Sequence, residues 1–126
     1  LASGGQTPAT DLVREACRVF PGSVMVLVRP RAGDFVYTPE EIAITVGQIG
    51  DCLQAGAAGV VVGCLDANRR VHRDQLKALV HASGGAPVTF HKAFDESADL
   101  MEAYRDCKEL GVGRILTSGG RKTALE

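Results

Sequence analysis

Neither sign of charge is in excess in this sequence. It holds 14 basic and 15 acidic residues among 126, so no bulk charge is available to hold a phosphate backbone, and nucleic acid is not an expected partner. No apolar run approaches the ~20 residues that a membrane-crossing helix needs, and a membrane is not an expected partner either. A charged start followed by an apolar stretch is missing, so no signal peptide is visible. The first residue is Leu1 rather than Met; the chain reads as a fragment or a truncated gene model, and any targeting segment would precede it. Cysteine is present at Cys17, Cys52, Cys64 and Cys107 but never as CxxC. That excludes a zinc ribbon and a thioredoxin-type site, and a reduced, cytosolic setting fits.

What the sequence does have is a regular alternation of helical and buried-strand patterns. The spacing of Leu12, Val13, Ala16, Val19 and Phe20 predicts a helix over 11–19, with Thr10 before it and Pro21-Gly22 after it. Residues 23–29 are β-branched and apolar on both faces, as in a strand buried within a parallel sheet. After a loop over 30–37, Thr38-Pro39-Glu40-Glu41 combines a cap, a proline at the first helical position and a capping box. That helix is expected to run to about Ala55, stopped by Gly56. A second strand is expected over 59–63, a loop over 64–71 and a helix over 72–83. A third strand is expected over 87–91, a helix capped by Ser97 running to Leu110, and a fourth strand over 114–117. The stretch 55–63 resembles 110–118: helix end, glycine stop, buried strand. With strand starts roughly 30 residues apart, these are βα units of a parallel sheet. The pattern alone leaves two architectures open, half of a (β/α)₈ barrel or an open doubly wound sheet.

In either architecture the chemistry belongs beyond the carboxyl ends of the strands, and polar residues do gather there. Arg29, Arg31 and Asp34 follow the first strand, Cys64 and Asp66 the second, His91 and Asp95 the third, Ser118 and Gly119 the fourth. Arg29 and Arg31 suit an anionic ligand, because guanidinium makes paired bonds to carboxylate or phosphate. His91 suits proton transfer, with Asp95 or Asp34 to orient it. Ser118-Gly119 before a helix could offer backbone N–H groups to an anion. Period-two alternation puts Thr89 with His91, and Ile115 with Thr117. If these are lumen faces, Arg29, His91 and Thr117 point into one mouth. Each residue has a plainer reading: an Arg29–Asp34 pair closing the sheet end, a solvated Arg31, a histidine satisfied by backbone, an aspartate and glycines chosen by turns. Cys17, Cys52 and Cys107 read as core thiols and His72 and His81 as surface. Cys64, at a strand end, would be a nucleophile or soft-metal ligand if it faced the mouth, although no second soft ligand stands near it in sequence.

Three segments carry a family resemblance: residues 28–37 (Val-Arg-Pro-Arg-Ala-Gly-Asp-Phe-Val-Tyr), 87–95 (Pro-Val-Thr-Phe-His-Lys-Ala-Phe-Asp) and 115–120 (Ile-Leu-Thr-Ser-Gly-Gly). Together with Gly4-Gly5-Gln6-Thr7-Pro8 and Thr123-Ala124-Leu125-Glu126 they resemble the copper homeostasis protein CutC family over the whole chain. The resemblance implies a TIM-type parallel (β/α) barrel, of which this chain would be one partial domain over 1–126 with roughly four strands. It implies cytosolic copper homeostasis and copper, as Cu(I), as ligand. The alternative function is a barrel enzyme acting on a small anionic molecule. Arg29, Arg31, Asp34, His91, Asp95 and Ser118 match the family's shared polar positions. Ala32 stands where glycine is usual and Lys92 where arginine is usual. The cysteines proposed as copper ligands in the family lie on strands that would precede Leu1, and Cys64 does not match one of them. Open apolar edges on half a barrel further imply that the chain associates, as a homo-oligomer.

Overall fold

The computed structural model describes residues 10–30 and 34–116. Helices and strands alternate, with one short 3-10 helix added before α4. α1 (Thr10–Val19), β1 (Met25–Leu27), α2 (Pro39–Gln54) and β2 (Gly59–Val62) come first. α3 (Arg73–Ala82), β3 (Val88–Phe90), a short 3-10 helix (Lys92–Glu96), α4 (Leu100–Glu109) and β4 (Arg114–Ile115) follow. The four strands form one parallel sheet in the order β1-β2-β3-β4. Each consecutive pair is joined by a helix, as parallel neighbours require.

Register explains the apolar sequence of the strands. Val26, Val60 and Val88 stand in one row, and Val62, Phe90 and Ile115 in another. These rows face the helices, and their members in β1 to β3 are almost wholly buried. The helices answer with stripes of their own: Ile42, Thr45, Ile49 and Cys52 on α2, Leu76 and Leu79 on α3, Ala103 and Cys107 on α4. Thr45 enters this core because its hydroxyl donates to the Glu41 carbonyl at 2.8 Å, which satisfies the polar atom within its own helix. The alternate row, Leu27, Val61, Thr89 and Arg114, lies on the other face of the sheet. Ile115 therefore belongs with Phe90 and not with Thr89 and His91. The expected common face of Ile115 with those two is overturned by this pairing, and Thr117 lies outside the described residues.

Local signals account for the helix ends. Glu41 N–H donates to Thr38 Oγ1 (3.1 Å) while Thr38 N–H donates to Glu41 Oε1 (2.9 Å), which closes the expected capping box. Both arms of the internal repeat end alike. Ala57 N–H reaches the Cys52 carbonyl, and Gly56 N–H the Leu53 carbonyl. Val112 N–H reaches the Cys107 carbonyl, and Gly111 N–H the Lys108 carbonyl. With Gly56 at φ +108° and Gly111 at +95°, each is a left-handed glycine stop delivering the chain to a strand. The start of α4 differs from expectation. Asp99, not Ser97, is the cap, its Oδ1 accepting from Met101 N–H (3.0 Å) and Glu102 N–H (3.1 Å). Ser97 instead ends the 3-10 helix, its hydroxyl donating to the Phe94 carbonyl at 2.7 Å. That extra helical turn between β3 and α4 left no apolar period in the sequence to reveal it.

Candidate functional site

Beyond the row Leu27–Val61–Thr89, two residues further along each strand, come Arg29, Gly63 and His91. They sit at the carboxyl ends of β1, β2 and β3. His91 is 5% exposed and its position is fixed by three contacts. Ala93 N–H donates to its Nδ1 at 3.1 Å, so the neutral ring carries its proton on Nε2. The ring passes directly over Gly63, where a Cβ would lie 2.6 Å from Nδ1 and 2.8 Å from Nε2. The Phe35 ring packs against it, with centroids 4.9 Å apart and planes tilted by 47°. Arg29 completes the stack, its Cζ 4.5 Å from the Phe35 centroid, a cation held over an aromatic face.

Phe35 reaches this place because its loop is held on both sides. Asp34 Oδ1 accepts from Val36 N–H at 3.2 Å, a local turn that sends Phe35 inward. The Phe35 carbonyl accepts from Leu65 N–H at 2.8 Å, and the Tyr37 carbonyl from Gln75 Nε2 at 3.0 Å. The loop after β1 is thereby tied to the loop after β2 and to α3. Asp66 also serves backbone: its Oδ1 accepts from Asn68 N–H (2.8 Å) and Arg70 N–H (3.0 Å).

The structure thus brings Arg29 and His91 together through Phe35. It places Asp34 on the exposed rim of the same loop and Asp95 half-buried in the 3-10 helix that follows His91. Arg31, Ser118 and Gly119 lie outside the described residues. Phe35 and Gly63 were not among the residues singled out from the sequence. A glycine at a strand end marks a close approach, and that signal was available. Phe35 and Tyr37, buried two residues apart between exposed neighbours, gave a fainter one.

Cys64 does not face the mouth. It continues the alternation of Val60 and Val62 into the helix-covered core, is fully buried, and lies with Sγ 3.8 Å from the His72 carbonyl. Burial, with the nearby Cys107 thiol, pushes its pKa up to about 12. Burial likewise pushes Cys107 up to about 12 and raises Cys52. A buried thiol that stays protonated near neutrality is a poor nucleophile. All four cysteines are free and buried, and no group of three His, Cys, Asp or Glu among the described residues could hold a metal ion. His72 is also not mere surface: its Nδ1 accepts from Gln75 N–H at 3.2 Å and caps α3.

A family model described as CutC family matches residues 1–126. Curated relatives named as CutC family proteins include one from Xylella fastidiosa, 42% identical over all of this chain and 47% of its own length. Another, from Xanthomonas campestris, is 40% identical over all of this chain and 52% of its own length. One from Bacteroides fragilis is 42% identical over 98% of this chain and 50% of its own. The chain spans about half the length of these relatives. A crystal structure of CutC from Streptococcus agalactiae, provisionally described as a copper homeostasis protein, superposes with a TM-score of 0.88. It is 32% identical, and the match covers 97% of this chain and 60% of that one. Four parallel strands in sequence order, together with this likeness, make the fold part of a parallel (β/α) barrel.

Proposed function

The chain belongs to the CutC family, and from that premise we propose that it serves copper homeostasis, with copper ion as the ligand of the whole system and the cytosol as its compartment. The observation that carries this reading is likeness along the entire chain to relatives named CutC, one of them provisionally described as a copper homeostasis protein. Four free thiols accord with a reducing compartment. The four thiols are buried and no group of three His, Cys, Asp or Glu among the described residues could hold a metal ion, which favours a copper contact outside the described core. Deleting the gene that encodes this chain is expected to lower growth in excess copper and to change cell copper content. Unchanged growth and unchanged content would refute the reading.

A second reading is favoured by one observation, the hard donors at the strand ends. Arg29 held over Phe35, beside a His91 whose Nδ1 accepts from Ala93 N–H, suits a small anionic molecule better than a soft metal. In this reading the chain is part of a barrel enzyme. Arg29 and Arg31, with Ser118 and Gly119, hold the anion, His91 moves a proton, and Asp95 or Asp34 orients it. The barrel by itself licenses no activity. Calorimetric titration with inorganic phosphate and with small dicarboxylates tests the reading directly. Binding should be lost in Arg29→Ala while Cu(I) competition with a chelator stays the same. Binding of neither anion by the parent chain would remove this reading and leave the first untouched.

A further inference from the structure

Phe35 is 3% exposed, yet its ring lies against two polar groups. Arg29 Cζ is 4.5 Å from the ring centroid, and the His91 ring centroid is 4.9 Å from it. The sum of these two distances is therefore the farthest apart that the guanidinium carbon and the imidazole centre can be. Arg29 lies just past β1 and His91 just past β3, strands that are separated in the sheet by β2. One ring from a loop thus joins two strand ends that are not neighbours. Gly63, just past β2, leaves room for this, since a Cβ there would lie 2.6 Å from His91 Nδ1. The loop holds its shape without the Phe35 side chain. Its bonds run from Leu65 N–H to the Phe35 carbonyl (2.8 Å) and from Val36 N–H to Asp34 Oδ1 (3.2 Å). An aliphatic side chain of similar size would fill the same space. An aromatic ring adds a negative face to set against a cation.

We propose that Phe35 is the positioning residue of an anion site at this mouth. Its ring holds the Arg29 guanidinium and the His91 imidazole in one fixed relation, so that a single small anion, a phosphate or a dicarboxylate, meets both. This rests on the second reading above and adds to it the residue that assembles the site. Guanidinium N–H groups pair with the oxygens of such an anion, and imidazole reaches another oxygen at about 2.9 Å. An arginine side chain has many rotamers, and holding it in place before the anion arrives removes part of the cost of binding.

Calorimetric titration of the full chain with inorganic phosphate and with succinate, at fixed ionic strength, tests the proposal. Phe35→Leu should bind about tenfold more weakly than the parent, because the contact between cation and ring is lost. Phe35→Tyr keeps the aromatic face and should stay within about twofold of the parent. Circular dichroism checks folding, and Phe35→Met replaces a Phe35→Leu that loses structure. The ring current of Phe35 should also move the Arg29 Nε–H proton upfield of the other arginines in the parent. That shift should vanish in Phe35→Leu and persist in Phe35→Tyr, which a space-filling role alone would not produce. A folded Phe35→Leu that binds as tightly as the parent, a Phe35→Tyr as weak as Phe35→Leu, or an Arg29 signal unshifted in the parent would each overturn the proposal. Failure of the parent to bind either anion is a separate outcome, seen before any substitution: it removes the anion reading, and the proposal with it.

Discussion

Replacing Gly63 by alanine places a methyl group where the His91 ring already is. The added carbon would stand 2.6 Å from Nδ1 and 2.8 Å from Nε2, well inside van der Waals contact. Two responses are open to the protein. If the ring stays, the strand ends must spread, an overpacking that costs about 1–3 kcal/mol. If the ring swings away, it leaves its rotamer at about 0.5–1.5 kcal/mol and gives up the bond from Ala93 N–H, worth about 1 kcal/mol. It also uncovers the face of Phe35 against which it packs. Both routes converge on a loss of about 1–3 kcal/mol, or roughly 4 °C of melting temperature for each kcal/mol. Gly47→Ala is the control. It lies within α2 with nothing within 4 Å of the added carbon, so helix propensity alone should stabilise by about 0.5–1 kcal/mol. Urea unfolding gives the energies, and the His91 ring signals in a proton–nitrogen spectrum report the ring. A Gly63→Ala protein as stable as its parent, with His91 signals unmoved, would refute the placement of this ring.

Asp99→Ala should cost about 1 kcal/mol through two lost cap bonds, and Ser97→Ala clearly less; a reversed order in thermal melts would return the helix start to Ser97. Gly56→Ala meets both a φ of +108° and the Cβ of Cys17 at 3.1 Å, so a loss of about 1–3 kcal/mol is expected, and a neutral result would contradict the tight stop. Cys64 and Cys107 have folded pKa values pushed up to about 12 from the usual 9.0, so the unfolded chain releases these protons first. Their contribution is complete below about pH 9 and is lost as pH rises toward 12, at up to about 1.4 kcal/mol per pH unit for each thiol. Melting temperature should fall over that range, and fall less steeply in Cys107→Ala; a flat profile to pH 11 would contradict it. Thiol reagents should label none of the four cysteines before unfolding, and rapid labelling of the native chain would show that the burial is wrong.

Period and punctuation were enough to read the element order, because the apolar stripes of α2 and α3 and the valine runs of β1 and β2 are short-range facts. The capping box at Thr38 and the two glycine stops were equally local. The edge of what was legible is register. Ile115 lies on the helix side because β4 pairs Ile115 with Phe90, which no alternation within β4 alone can state. Cys64 turned inward for a related reason: the strand alternation of Val60 and Val62 continues past the strand's last bond. Asp99 displaced Ser97 because both are good caps, and only the 3-10 turn before α4 decides which backbone N–H groups need a partner. Arg29 and His91 were legible as residues of the mouth. The ring that joins them was not, since Phe35 acts through a fold-back that depends on Leu65 and Gln75 far along the chain.

That fold-back also sets a clock. Phe35 packs against a ring about 56 residues downstream, and a ribosome adding ~5–20 residues per second delivers that ring ~3 to 11 s later. Through this interval α1 and β1 are already made and α2 and β2 emerge, while the strand-end loop has its aromatic side chain without the His91 ring it packs against. The mouth therefore settles only after β3 has emerged, later than the helix and strand that lead into it.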